Sequence, residues 1–120
     1  MLNRSAVLVA EDELFIALDL AYAIEDADGV VVGPAASVKD ALILLETHPV
    51  IAAILDVNLV DGDISPVVEY LVAHHIPFIL QSGIGLPSEL SARFPDMIVR
   101  IKPSVATRLV AELAALLDRG

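Results

Sequence analysis

The chain has 120 residues, 57% of them hydrophobic, and its 17 acidic against 7 basic residues give a formal net charge of −10. This composition excludes intrinsic disorder, and no hydrophobic run reaches the roughly 18 residues that a membrane-spanning helix needs. The chain has no cysteine, which excludes disulfide bonds and thiolate metal sites. Its few basic residues are dispersed, which argues against direct binding to nucleic acid. We therefore expect one cytoplasmic domain over residues 1–120 that contacts neither nucleic acid nor membrane.

Five short hydrophobic runs predict five strands. Most of these runs are continuous and rich in β-branched residues, which is typical of parallel strands buried on both faces. Arg100 interrupts the fifth run, as we expect of an edge strand. In chain order, the predicted strands are Ala6–Ala10, Val30–Val32, Val50–Leu55, Pro77–Leu80 and Met97–Ile101.

Helical patterns alternate with the strands. Ser37 is the predicted N-cap of the second helix, and the turn at Asp61, Gly62 and Asp63 is expected to cap the third. The segment 83–94 is rich in helix breakers, so we expect it to be short or mobile, with a helix only within Ser88–Phe94. The four hydrophobic stripes are Leu14-Ala17-Leu18-Ala21-Ile24, Val38-Ala41-Leu42-Leu45, Ile64-Val67-Val68-Leu71-Val72 and Val105-Leu109-Leu113-Leu116.

Five successive β-α units predict an α/β fold, a doubly wound (βα)5 parallel sheet with helices on both faces. Ligands of such sheets bind at the carboxyl ends of the strands, so the residues there are the candidates for chemistry. In this chain those residues are Glu11, Asp12 and Glu13 after the first strand, Asp56 after the third, Ser82 after the fourth and Lys102 after the fifth.

The residues at these strand ends predict a phosphoryl-transfer site. Carboxylates brought close together repel unless a cation neutralises them, and hard oxygen ligands suit Mg²⁺. An aspartate is an established covalent phosphoryl acceptor, and an ammonium and a hydroxyl complete the set. Glu13 is expected only to favour the start of the first helix. The three histidines, His48, His74 and His75, are expected at helix ends rather than on a metal.

Four motifs together resemble the receiver domain of two-component response regulators. They are Val9-Ala10-Glu11-Asp12-Glu13, Leu55-Asp56-Val57-Asn58-Leu59-Val60-Asp61-Gly62, Ser82-Gly83 and Lys102-Pro103, and they occur in the family's order along the whole chain. The resemblance implies a CheY-like, flavodoxin-like three-layer sandwich with strand order 2-1-3-4-5. It also implies that Asp56 accepts a phosphoryl group, with Lys102 pairing with that group and Ser82 hydrogen-bonding it.

The same resemblance implies the ligands of Mg²⁺. Asp12, Asp56 and the backbone carbonyl of Asn58 would bind the ion directly, and Glu11 would act through water. The implied partners are a sensor histidine kinase or a histidine phosphotransferase, a downstream protein target and, as one further partner, a second copy of the chain.

The chain departs from the family pattern at three positions. Glu11 replaces the more common aspartate, Val60 replaces a frequent proline, and Val99 stands where the family has its switch aromatic. A subset of mostly single-domain receivers also lacks that aromatic and carries a motif that resembles Phe-Ala-Thr-Gly followed by a hydrophobic residue. The segment from Ile79 to Pro87 resembles a divergent version of this motif. Our hypothesis is that the output passes through ordering of residues 83–94.

Two other functions fit parts of the sequence. A pseudo-receiver would be a binding module that is never phosphorylated, although such modules usually lose one of the acids or the lysine that this chain keeps. A phosphohydrolase with an aspartyl nucleophile typically carries a second acid two residues later, where this chain has Asn58. We therefore expect no enzyme activity beyond the chain's own phosphorylation and dephosphorylation.

Overall fold

The computed structural model of the protein describes residues 1–83 and 85–119. Five strands form the central sheet: β1 (Ala6–Ala10), β2 (Val30–Ala35), β3 (Ala52–Asp56), β4 (Phe78–Ser82) and β5 (Ile98–Ile101). Five helices connect and follow them: α1 (Leu14–Asp26), α2 (Val38–Thr47), α3 (Ser65–Ala73), α4 (Ser88–Arg93) and α5 (Ala106–Arg119). A short antiparallel hairpin, which the sequence did not predict, pairs Asn58–Leu59 with Gly62–Asp63 between β3 and α3. The described part of the chain includes no helix long and apolar enough to cross a membrane.

All five strands of the sheet are parallel and lie in the order β2-β1-β3-β4-β5. This is the predicted doubly wound topology with its predicted strand order. Ala10, Leu55, Leu80 and Val99 form one row across four strands, so the next residue of each strand lies at the same edge of the sheet. β3 and β4 end one to two residues later than predicted, so that Asp56 and Ser82 are the last residues of their strands.

The hydrophobic core lies in two layers, one on each face of the sheet. α1 and α5 pack on one face around Val9, Ile54 and Ile79, whereas α2, α3 and α4 pack on the other around Leu55 and Leu80. β3 is buried along its whole length, which accounts for its continuous hydrophobic sequence. At the sheet edge, Arg100 of β5 is exposed, as predicted.

Three of the predicted helix stripes were partly wrong. In α1 the buried residues are Ala17, Leu20, Ala23 and Ile24, whereas Leu14 is 66% exposed. Almost every position of α1 is apolar, so spacing alone did not identify the buried face. In α5 the buried residues are Leu109, Val110, Leu113 and Ala114, and Val105 lies exposed before the helix begins. Val72, predicted on the buried face of α3, is also exposed.

Side-chain caps tie the loop after β3 to the start of α2. Asp61 accepts hydrogen bonds from the N–H groups of Val38 (2.6 Å) and Lys39 (3.1 Å), so it caps α2 and not α3, for which it was predicted. The hairpin turns Asp61 away from α3 and leaves Asp63 to accept the N–H of Ser65. Ser37 accepts the N–H of Asp40, as predicted. His48, His74 and His75 lie at the ends of α2 and α3, also as predicted.

β2 is longer than predicted because it continues past a bulge. Leu8 pairs with Val32 but Ala10 pairs with Ala35, so β2 contains one residue more than β1 over this stretch. Gly33 adopts a φ of +100° there, and a Cβ on it would lie 2.9 Å from the carbonyl oxygen of Val9. Beyond the bulge, the carbonyl of Ala35 accepts the N–H of Glu11 at 2.9 Å, which fixes the backbone where the candidate site begins.

Candidate functional site

The candidate site lies at the carboxyl ends of β1, β3 and β5. Glu11 follows β1, Asp56 ends β3, and Lys102 follows β5. Because β1 and β3 pair directly, Glu11 and Asp56 are neighbours at this edge. Lys102 follows β5, which is separated from β3 by β4. The backbone N–H of Lys102 donates to the carbonyl of Ser82 at 2.9 Å. That hydrogen bond holds the end of β5 against β4 and allows the lysine side chain to reach β3.

The ammonium group of Lys102 contacts three carboxylates. Its Nζ lies 2.9 Å from Oδ2 of Asp56, 3.1 Å from Oε1 of Glu11 and 3.7 Å from Oε2 of Glu13. The sequence prediction for Glu13 was therefore incomplete, since this residue is the N-cap of α1 but also contributes to the charge around Lys102. The Glu11 side chain is fully buried, and those of Asp56 and Lys102 are 10% and 18% exposed. Solvent therefore screens this ion-pair network only weakly.

The protein environment shifts two pKa values in the site. The pKa of Glu11 is raised to about 7, chiefly because its carboxylate is buried; the hydrogen bond from the Glu13 N–H lowers it, and Asp56 raises it. For Lys102, burial alone would lower the pKa, but hydrogen bonds and charge attraction from Asp56 and Glu11 outweigh burial and raise it. Lys102 therefore stays positively charged at neutral pH, while Glu11 lies near the point at which it takes up a proton.

The carboxylates provide a ligand set that fits a metal ion. Glu11, Asp12 and Asp56 each present an oxygen, and these atoms all lie within 4.8 Å of one another. Asp12 is exposed and the other two are buried, so the group opens toward solvent on one side. Oxygen ligands of this kind suit a hard divalent cation. No histidine joins such a group in residues 1–83 and 85–119.

Asn58 lies beside the carboxylates through its backbone. Its N–H lies 3.4 Å from Oδ1 of Asp56, and its side chain is exposed. The hairpin that begins at Asn58 thus brings the main chain of this residue, rather than its amide side chain, to the edge of the site.

Ser82 is buried at the end of β4 and is hydrogen-bonded to the loop that follows it. Its hydroxyl donates to the carbonyl oxygen of Gly85 at 2.7 Å and accepts the N–H of Gly85 at 2.9 Å. Ile84, which belongs to the segment 83–94, lies outside the described residues. The helix of this segment spans Ser88–Arg93, within the predicted range Ser88–Phe94.

Gln81 is a residue of this site that the sequence analysis missed. Its side chain is 2% exposed, and its Nε2 donates to Oε1 of Glu11 at 3.2 Å. The signal in the sequence is a polar residue directly after the hydrophobic run that starts at Pro77. Because that run predicts a strand that ends at Leu80, it does not place Gln81 at the buried edge.

The other two departures from the family pattern, Val99 and Val60, lie in β5 and in the hairpin after β3. Val99 is half-buried in the middle of β5, next to Leu80 of β4. Val60 lies at the tip of the hairpin, 71% exposed, and its N–H donates to the carbonyl of Ala36.

Solved structures resemble the chain over nearly its full length. The solution structure of SdrG from Sphingomonas melonis Fr1 is 37% identical with a TM-score of 0.79, and 98% of each chain is covered. The solution structure of the BeF3-activated conformation of SdrG from Pseudomonas melonis Fr1 is 39% identical with a TM-score of 0.72 and the same coverage.

More distant structures share the fold. The response regulator PhyR from Brucella abortus is 26% identical with a TM-score of 0.75, over 96% of this chain and 49% of PhyR. A CheY-like response regulator receiver domain protein from Methanospirillum hungatei JF-1 has a TM-score of 0.83 at 19% identity, over 96% and 94% of the two chains. Comparisons with protein-family models and with curated proteins gave no match.

Proposed function

The chain belongs to the receiver-domain family of two-component response regulators, and from this premise we propose that it is a switch controlled by phosphorylation of Asp56. The observation that carries the proposal is the convergence of Glu11, Asp12 and Asp56 with Lys102 at one edge of the sheet. The proposed donor is the phosphohistidine of a sensor kinase or of a histidine phosphotransferase. The BeF3-activated conformation of SdrG adds support, because beryllofluoride resembles a phosphoryl group bound to a carboxylate.

In the proposed reaction, a carboxylate oxygen of Asp56 forms a bond to phosphorus. The bond from phosphorus to the histidine nitrogen breaks, and its electron pair leaves with the imidazole, so the product is an acyl phosphate. Transfer of this kind depends mainly on positioning and on neutralising charge. Lys102 already lies 2.9 Å from Asp56 and can follow the new phosphoryl oxygens with a small movement of its side chain.

The proposed cofactor is Mg²⁺. It would be held by Asp12, Asp56 and the backbone carbonyl of Asn58, with Glu11 acting through water. When bound, the ion supplies positive charge that offsets the charge of the phosphoryl oxygens and of the clustered carboxylates. The chain's own role is to keep these oxygens close together, and the contact of Lys102 with both buried acids serves that role.

Ser82 is the proposed link between phosphorylation and the output. A hydroxyl has one proton, so when Ser82 donates it to a phosphoryl oxygen it stops donating to Gly85. The carbonyl oxygen of Gly85 then loses this donor, which favours a rearrangement of the loop that leads into α4. Phosphorylation adds about −1.5 to −2 charges at the site, which favours this exchange of partners. The segment 83–94 would thus carry the signal without an aromatic side chain at position 99.

The proposed output is protein contact in the cytoplasm, with a downstream protein or with a second copy of the chain. We propose no enzyme activity beyond the chain's own phosphorylation and dephosphorylation. A receiver changes its partners by shifting between two conformations, and only contacts that differ between those conformations contribute to the shift.

Mass spectrometry of the intact chain after incubation with acetyl phosphate and Mg²⁺ tests the proposal. We expect the wild type to gain the mass of one phosphoryl group and Asp56→Asn to gain none. Asp19→Asn is a matched control, because Asp19 is an exposed acid of α1, and it should react like the wild type. If the wild type gains no mass, the proposal fails in favour of a pseudo-receiver.

A further inference from the structure

Gln81 reaches across a whole strand to contact Glu11. β1 and β4 pair with opposite edges of β3, so the backbones of the two residues are separated by two strand spacings, roughly 10 Å. Only two long side chains can close that gap, and here the Gln81 Nε2 and the Glu11 Oε1 lie 3.2 Å apart. Gln81 is the register partner of Asp56, so its side chain crosses the site beside the proposed acceptor.

The chemistry of this contact is also specific. In its ionised form the Glu11 carboxylate only accepts hydrogen bonds, and it is the amide nitrogen of Gln81 that faces it. A buried amide donor satisfies a buried carboxylate without adding a charge to the cluster. Glu11 Oε1 has a second donor in Lys102, at 3.1 Å, and Oε2 accepts the N–H of Glu13 at 3.1 Å. Of these three donors, Lys102 is the one that is proposed to turn toward the phosphoryl group.

We propose that Gln81 is a positioning residue of the site, whose amide fixes the Glu11 carboxylate across β3 and keeps it hydrogen-bonded when Lys102 turns away. This inference rests on the proposed function, since it assigns Gln81 a part in holding the Mg²⁺ ligands. Without Gln81, the movement of Lys102 would leave Oε1 of this fully buried carboxylate with no side-chain donor from residues 1–83 and 85–119. Loss of a donor to a buried carboxylate oxygen is costly.

A calorimetric titration with Mg²⁺ as the only added ligand, at neutral pH, measures how Gln81 affects the affinity of the site for the ion. Gln81→Met keeps a similar side-chain length but removes the donor. We expect it to weaken Mg²⁺ binding about tenfold, the lower end of what loss of a ligand-orienting hydrogen bond costs. Leu80→Met is the matched control: it changes the preceding residue of β4, which is buried in the core, and should leave the affinity unchanged.

A double-mutant cycle with Glu11→Asp separates positioning from general damage to the fold. Aspartate is one methylene shorter and cannot reach Gln81 across β3, so Gln81→Met should change the affinity less than roughly twofold in that background. Gln81→Asn, which keeps the amide but is too short, should lose as much affinity as Gln81→Met in the wild-type background. If Gln81→Met does not fold, Gln81→Asn replaces it as the variant that breaks the contact with Glu11.

A second readout follows the hydrogen bond itself. In the NMR spectrum, the side-chain amide protons of Gln81 should stay protected from exchange when Mg²⁺ and beryllofluoride are added to the wild type. Rapid exchange of these protons in that state would overturn the inference that Gln81 holds Glu11 after Lys102 moves.

The outcomes distinguish the inference from the proposed function. If the wild type binds Mg²⁺ and Gln81→Met binds it equally well, the inference fails and the proposed function stands. An equal loss of affinity in the Glu11→Asp background also overturns the inference, because the effect would then not pass through Glu11. A wild type that binds no Mg²⁺ overturns both.

Discussion

Glu11 should make the stability of the metal-free chain depend on pH between about pH 5 and pH 8. Its pKa rises from an ordinary value of 4.5 to about 7 on folding, chiefly because the carboxylate is buried. Between these two values the folded chain binds more protons than the unfolded chain. The free energy of unfolding therefore falls as the pH rises through this interval, and it levels off above about pH 7 to 8.

The size of this effect follows from the two pKa values. Each pKa unit corresponds to about 1.4 kcal/mol, so ionising Glu11 in the folded state costs about 3 kcal/mol. Lys102 does not contribute to the change, because its raised pKa keeps it charged throughout the interval. Excess Mg²⁺ should reduce the fall in stability, since the ion binds only the ionised carboxylates.

Urea denaturation at a series of pH values, in the presence of a chelator, measures this dependence. Glu11→Gln is the control because it cannot ionise, and its free energy of unfolding should lack the fall of about 3 kcal/mol seen in the wild type. If the two chains show the same pH dependence, our description of Glu11 as a buried, ionisable member of the site is refuted.

Three further substitutions, one of them with a matched control, test other parts of the structure by urea denaturation at neutral pH. Lys102→Met removes the cation between Glu11 and Asp56 and should lower the free energy of unfolding by about 3 kcal/mol; unchanged stability would contradict the ion-pair network. Gly33→Ala should cost about 1–3 kcal/mol because of the positive φ and the nearby Val9 carbonyl, and a neutral result would contradict the bulge. Ser37→Ala should cost about 1 kcal/mol through loss of the α2 cap, whereas Ser91→Ala at an exposed position of α4 should be nearly neutral; equal effects would argue against the cap.

The fold was predictable because burial of a strand or helix determines where apolar residues stand in its sequence. Strands buried on both faces must be apolar throughout, and right-handed crossovers restrict how five β-α units can be arranged. The exact buried face of α1 was not predictable, because a helix that is apolar almost all round offers no contrast between its faces. The bulge at Gly33 and the hairpin after Asn58 depend on tertiary contacts that leave little pattern in the sequence.

The candidate site was predictable to the extent that strand ends converge. Glu11, Asp12, Asp56 and Lys102 lie together because each follows or ends a parallel strand. Gln81 was missed, and Glu13 was assigned only to the start of α1, for a different reason. Their contribution depends on the reach of long side chains across neighbouring strands, and a residue's position in the sequence does not contain that information.

The central claim, that Asp56 is the phosphoryl acceptor, is tested most directly by locating the phosphoryl group. The chain is phosphorylated with acetyl phosphate and Mg²⁺, the acyl phosphate is reduced with borohydride, and the peptides are sequenced by mass spectrometry. We predict that position 56 alone is converted from aspartate to homoserine. Conversion at another acid, with Asp56 intact, would contradict the claim.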